Sequence, residues 1–204
     1  MARRPQILSY QGNIGSGKST LLRGIQQYVN THRNKGEFTI LHEPVQLWAP
    51  FFKRYHEKQI SAYNLQTQIQ NTLRQRIQNL PQTQTLLIER SNLSALNIFI
   101  PILIAQDEMT DNERKVLCQL DEDLIEDAIV FVDSDPIECY NRTKNRRQPG
   151  DQLISKDYLR LIHQKHIEWQ GTEVLPKIMV PNPFTINYEE HLKEIETLQD
   201  KISH

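Results

Sequence analysis

Short apolar runs recur along the chain, and most are followed by a longer stretch in which apolar positions return every three or four residues. Five runs have strand character: Ile7 to Tyr10, Phe38 to Leu41, Thr85 to Ile88, Ala128 to Val132 and roughly Phe184 to Asn187. Leu86-Leu87-Ile88 and Ile129-Val130-Phe131-Val132 are apolar throughout instead of alternating, as expected of strands covered on both faces. Thr20 to Val29 has apolar residues at helical spacing. Between Gln59 and Gln84 eight glutamines suggest low complexity, but Leu65, Ile69, Leu73 and Ile77 recur every four residues and predict one amphipathic helix ending near Pro81. Thr110 and Glu113 fit a capping box ahead of Val116-Leu117, and Ser155 or Asp157 opens a helix running through Trp169. Ile98 to Ala105, too short to span a bilayer and holding Pro101, reads as a buried helix or a subunit contact. The alternation predicts an α/β fold, a parallel sheet of five strands flanked by helices, with ligands gathering at the strands' carboxyl ends.

Chemistry-bearing residues follow each of the first four runs. After the first comes Gly12-Asn13-Ile14-Gly15-Ser16-Gly17-Lys18-Ser19, which fits G-x-x-x-x-G-K-[ST] without a mismatch, and then Thr20. A polyphosphate needs inward-turned backbone N–H groups, glycines that let the chain curl closely, and a lysine reaching its terminal oxygens; Ser19 offers a hydroxyl to Mg²⁺. A strand before the loop and a helix after it are the context this motif requires. The second run leads into Glu43-Pro44, with Trp48 five residues beyond the glutamate, and the third into Glu89-Arg90-Ser91. A carboxylate at a strand end can take a proton from an attacking hydroxyl, and an acid beside a guanidinium suits Mg²⁺ and the reacting oxygens. The fourth run ends at Asp133-Ser134-Asp135.

Composition narrows the partners. A length of 204 residues suits one domain spanning 1–204, and a net charge of −1 from 24 basic and 25 acidic residues leaves no electrostatic footprint for nucleic acid. Cys118 and Cys139 lack metal-ligand spacing, and reduced thiols are the default. His163, His166 and Glu168 have no further strong ligand placed near them, so they read as a solvated helix face. No membrane segment and no targeting segment is evident, Arg3 and Arg4 lying too close to the first strand, so cytoplasmic residence is the default expectation.

With these motifs in place, the chain resembles the deoxyribonucleoside kinase family over almost its whole length. The resemblance rests on the loop Gly12 to Thr20, on Glu43-Pro-Val-x-x-Trp48, on Glu89-Arg90-Ser91, and on a basic lid over 142–151 followed by Tyr158-Leu159. It implies a P-loop kinase fold and a Mg²⁺-dependent, ATP-dependent kinase that makes deoxynucleoside 5′-monophosphates for nucleotide salvage, usually as a homodimer. Glu43 is then the base for the 5′-hydroxyl, held by Arg90. Lys18 neutralises the transferring phosphoryl group, and Ser19 with Glu89 positions Mg²⁺. Trp48 and Phe99 wall the base, Gln66 pairs with its edge, and Tyr55 contacts the sugar 3′-hydroxyl. Arg142 and Arg146 clamp phosphate. An arginine expected at Gln148 is absent, with Arg147 beside it as the substitute, and the usual 3′-hydroxyl glutamate is Asp151, an acceptor of shorter reach. Ala95 and Leu73 stand where the deoxycytidine and deoxyguanosine enzymes carry an aspartate–arginine pair. That apolar room, tightened by Ile69, favours pyrimidines, thymidine and deoxycytidine among them. The rival readings are a thymidylate-type monophosphate kinase, whose acceptor phosphate Glu43 would repel, and a silent P-loop subunit, which would need none of Lys18, Glu43 and Arg90.

Overall fold

Parallel pairing is complete across the sheet. The computed structural model describes residues 4–80, 84–119, 125–146, 148 and 150–202. The expectations placed on Pro81 and Arg147 lie outside them. Strand β1 (Gln6–Gln11) sits at the centre, paired in parallel with β3 (Thr85–Glu89) and β4 (Ala128–Val132). β2 (Phe38–Leu41) extends the sheet beyond β3, and β5 (Lys177–Val180) extends it beyond β4, giving the order β2-β3-β1-β4-β5. The register places Tyr10 beside Glu89 and Val130, so the ends of the three central strands are level where β1 runs into the glycine-rich loop.

Each face of the sheet is covered. Leu8, Tyr10, Val130 and Val132 pack against α1 (Lys18–His32) and α9 (Tyr188–Ile202), whose Leu21, Leu22, Ile25, Leu192 and Ile195 are fully buried. Ile129 and Phe131 point the other way, into Ile98, Ile102, Ile162 and Trp169. Alternate side chains of one strand thus enter opposite cores, which is why these runs are apolar at every position.

Helices α2 (Val45–His56) and α3 (Ala62–Gln78) follow β2. Ser61 caps α3, its hydroxyl accepting from the Asn64 N–H at 3.2 Å, and the single amphipathic helix read from the four-residue spacing is present. After β3 the chain forms α4 (Asn92–Ser94), a π-helical turn at Ala95–Phe99, and α5 (Ile100–Ala105), with Pro101 in the first turn of α5 where its missing N–H costs little. Ile98, Ile100 and Ile102 are buried, as the apolar run implied. Then come α6 (Asp111–Gln119), opened by the Thr110–Glu113 capping box, α7 (Pro136–Arg146) and α8 (Lys156–Thr172), capped by Ser155.

Two expectations are corrected. The fifth strand is Lys177–Val180, not Phe184 to Asn187. As an edge strand it alternates exposed and buried residues, and Pro176 and Pro181 frame a run too short to stand out. Phe184 belongs to a turn in which its N–H donates to Asn182 Oδ1 at 3.0 Å. His166 is not solvated: it is 3% exposed in the α8 core, its Nδ1 bonded to the Ile162 carbonyl at 2.8 Å, and burial pulls its pKa down to about 3. Among the described residues no cluster of His, Cys, Asp or Glu could hold a metal on such groups alone, and no helix is long and apolar enough to cross a membrane.

Candidate active site

The loop after β1 curls because its glycines adopt backbone angles that other residues avoid. Gly12 has φ of 146°, and a Cβ there would lie 2.4 Å from the Val132 carbonyl oxygen; at Gly15, with φ of 80°, a Cβ would lie 2.6 Å from the Cys139 carbonyl oxygen. Neighbouring elements brace the curl. Asn13 donates to the Leu159 carbonyl at 2.9 Å, Ser134 to the Ser16 carbonyl at 3.0 Å, and Arg142 to the Gly15 carbonyl at 3.4 Å. Gly17 is the left-handed N-cap of α1, whose first turn carries no acidic side chain, so the positive end of the helix faces the loop without a counter-charge of its own. Lys18 crosses the cradle, its Nζ donating to the carbonyls of Gly12 at 3.0 Å and Asn13 at 2.7 Å. Burial, and then the charge of Arg90, pulls its pKa down to about 7. Ile14 is half-buried against the α8 core, while Thr20 is exposed.

Beside the loop, the ends of β2 and β3 bring the acids together. Ser19 Oγ donates to Glu89 Oε1 at 2.5 Å, the Glu43 N–H donates to Glu89 Oε2 at 3.3 Å, and His42 Nδ1 lies 3.4 Å from the same oxygen. Burial pushes the Glu89 carboxyl up, but the hydrogen bonds from His42 and Ser19 and the charge of Lys18 outweigh it and hold the group well below the usual carboxylate range. Arg90 then faces Glu43, its Nε 3.2 Å from Oε1 and 3.3 Å from Oε2. The guanidinium lies 5.1 Å over the Phe99 ring, and its Nη1 is buried without a hydrogen-bond partner. A buried donor left over on an arginine, beside a carboxylate, marks a place for an incoming oxygen.

Arg90 reaches this position through a left-handed backbone, φ 59°, with its N–H donating to the Tyr10 carbonyl at 3.1 Å. The next residue is fixed from below: Gln11 Nε2 donates to Ser91 Oγ and Ser9 Oγ, both at 2.9 Å, and the Ser9 hydroxyl bonds Glu126. Sequence reasoning passed over Gln11 and His42, which carry no motif and gain meaning only once β1, β2 and β3 are adjacent.

The remaining predicted residues fall into separate groups. Trp48 is 2% exposed, with its indole N–H unpartnered, and Gln66 is buried one turn ahead of Gln70, whose amide atoms both lack partners. Leu73 lines a small cavity with Leu41, Ile77, Ile88 and Arg90; Ile69 is half-buried on the same helix, and Ala95 is buried on the π turn. Tyr55 donates its hydroxyl to Glu108. Arg146 and Asp151, assigned to different parts of the substrates, bond each other in a fork at 2.9 and 2.8 Å, and the Gln148 N–H adds a bond to the same carboxylate at 2.8 Å. Phe184, absent from the predicted set, lies against the Gly17 position, with the Arg142 guanidinium 4.6 Å from its ring centre.

The arrangement offers a phosphate cradle, hard oxygen donors for a divalent cation on Ser19 and Glu89, and a carboxylate–guanidinium pair able to take a proton from an alcohol. The chain is also similar to known proteins. Human mitochondrial thymidine kinase 2 is 30% identical over 178 residues, covering 81% of this chain and 64% of that protein. A fowlpox virus protein named "Probable deoxycytidine kinase" is 28% identical over 185 residues (85% of this chain, 75% of that protein), and the thymidine kinase of ictalurid herpesvirus 1 is 25% identical over 171 residues (80% and 73%). The chain spans 64% of the length of the human and macaque thymidine kinase 2 proteins. The deoxynucleoside kinase family model matches residues 8–204, a stretch that includes the cradle, both acidic strand ends and the arginine fork, and the chain belongs to that family.

Proposed function

We propose that the protein transfers the γ-phosphoryl group of ATP to the 5′-hydroxyl of a deoxynucleoside, in nucleotide salvage. One observation carries this reading: Glu43 and Arg90 are paired 3.2 Å apart at the sheet edge of the cradle, with an unpartnered guanidinium N–H beside them. A carboxylate there accepts the proton of an alcohol but repels an acceptor that is already phosphorylated, which separates nucleoside from monophosphate as substrate. Lys18 and the N-terminus of α1 offset charge on the polyphosphate, and Arg142 lies at the mouth of the loop. Ser19 and Glu89 suit Mg²⁺, which would supply charge neutralisation between the phosphates. The Arg142–Phe184 pair offers a flat face for the donor's base.

The apolar surroundings of Ala95 and Leu73 leave room for a 5-methyl group, so thymidine and deoxycytidine are the proposed acceptors, with purines weaker. A homodimer is the proposed assembly. The test is phosphate transfer from ATP with Mg²⁺ to thymidine, deoxycytidine, deoxyadenosine, deoxyguanosine and thymidine monophosphate, each assayed separately. Pyrimidine nucleosides should lead. Leading purines would sink the pocket argument and keep the kinase, transfer to the monophosphate alone would replace the reading with a monophosphate kinase, and transfer to none would leave a silent subunit.

A further inference from the structure

We propose that Glu108 is a positioning residue for the sugar subsite: it accepts the hydrogen bond of the Tyr55 hydroxyl and thereby presents the phenol oxygen's lone pairs to the nucleoside as an acceptor for a 3′-hydroxyl donor. The inference deepens the function proposed above and rests on it. Nothing in the chemical motifs points to Glu108, which lies in the turn between α5 and α6, 53 residues from Tyr55 in sequence. Two tight turns bring them together. Asp107 is left-handed at φ 57°, and the Glu108 N–H closes its turn on the Leu103 carbonyl at 2.9 Å; Lys58 is left-handed at φ 58°, its N–H bonded to the Tyr55 carbonyl at 2.9 Å. Met109, 5% exposed, anchors the first turn in the cluster that also holds Tyr55, Ala62 and Ala95.

The three side chains close a triangle. Tyr55 donates to Glu108 Oε2, Lys58 Nζ lies 3.7 Å from Glu108 Oε1, and the same ammonium sits 5.8 Å from the Tyr55 ring centre. A phenol has one proton. Once it is committed to Glu108, the lone pairs are what the oxygen can offer elsewhere, and they accept from a hydroxyl but not from an ether or a bare methylene. The carboxylate that the family resemblance gives to the 3′-hydroxyl, Asp151, already accepts three hydrogen bonds, from Arg146 Nε and Nη2 and from the Gln148 N–H, and faces Arg146.

The test compares kcat and KM for a 2′-deoxynucleoside and the matching 2′,3′-dideoxynucleoside in the wild type, Glu108→Ala, Glu108→Gln, Tyr55→Phe and the Glu108→Ala/Tyr55→Phe pair. Losing one aligned hydrogen bond should lower the deoxy-to-dideoxy ratio of kcat/KM about fivefold in Glu108→Ala, mostly through KM. Glu108→Gln keeps an acceptor oxygen and should recover most of that ratio. In the Tyr55→Phe background, Glu108→Ala should not lower the ratio further. Equal losses on both nucleosides, or an additive loss in the paired variant, would overturn the proposal while leaving the kinase in place. A wild type that phosphorylates no nucleoside would overturn the function and this role with it.

Discussion

The base role proposed for Glu43 requires its carboxylate to be held, and the holder is a residue in an unusual backbone state. Arg90 sits in the left-handed region, tied on several sides: its N–H to Tyr10, the neighbouring Ser91 to Gln11, and its guanidinium to Glu43 and Phe99, with Nη1 left unpartnered. Replacing Glu43 with Gln keeps the shape and removes the proposed base, so kcat should fall by about 100-fold or more with the thermal midpoint retained; undiminished kcat would rule out the base role. The residues readable in advance at this scale were those whose chemistry is fixed by short spacing: Gly12, Lys18 and Ser19 in one loop, and Glu89-Arg90-Ser91 in one triplet. Gln11, His42 and Glu108 were not readable. Each acts across 47 to 80 residues of chain, on Ser91, Glu89 and Tyr55, and its type alone is common on any surface. The Arg146–Asp151 fork was hidden for a related reason, since two charged residues five apart give no sign of whether they face a substrate or each other.

Elements were legible where periodicity and burial agree. Leu65, Ile69, Leu73 and Ile77 marked α3 through a glutamine-rich background, because a helix needs only one apolar stripe. β5 was missed because an edge strand buries half its residues, and the Phe184–Asn187 run, which alternates an aromatic and a β-branched residue with polar ones, drew the assignment away from it. The π turn at Ala95–Phe99 was equally invisible, since one extra residue in a turn leaves the apolar pattern nearly unchanged. Packing between elements also explains a glycine within a helix. A Cβ on Gly24 of α1 would lie 2.1 Å from the Tyr188 hydroxyl and 2.3 Å from its ring carbon Cζ on α9. Alanine ordinarily stabilises a helix interior relative to glycine, but here the ring must move, so Gly24→Ala should lower the unfolding free energy by about 1–3 kcal/mol in denaturant titration. A gain in stability would show that α9 shifts at no cost.

Across the whole molecule, two buried histidines tie stability to acidity. Burial pulls His166 down to about 3 and His191 down to about 4. His191 packs edge-on against Tyr10 and hydrogen-bonds its hydroxyl at 2.9 Å. In the unfolded chain both titrate near the ordinary histidine value of about 6.5, so between that pH and about 4 the unfolded state binds protons that the folded state refuses. Stability is therefore lost as pH falls through this window, by about 2 kcal/mol for each histidine at pH 5. Denaturant unfolding at pH 7 and pH 5 checks this, and His191→Gln should remove about half of the difference. A pH-independent midpoint would contradict the buried neutral state of both rings.

The strand order also has a consequence in time. β1 precedes the other strands, yet its two neighbours are β3 and β4, which begin 79 and 122 residues after Gln6. During synthesis the phosphate loop leaves the ribosome early and must wait, edges unpaired, while more than a hundred residues follow it. Its brace on Leu159 comes later still. The segment made earliest among the strands is thus among the last to acquire its working shape, and a chain released before α8 has emerged would carry every residue of the cradle without the cradle.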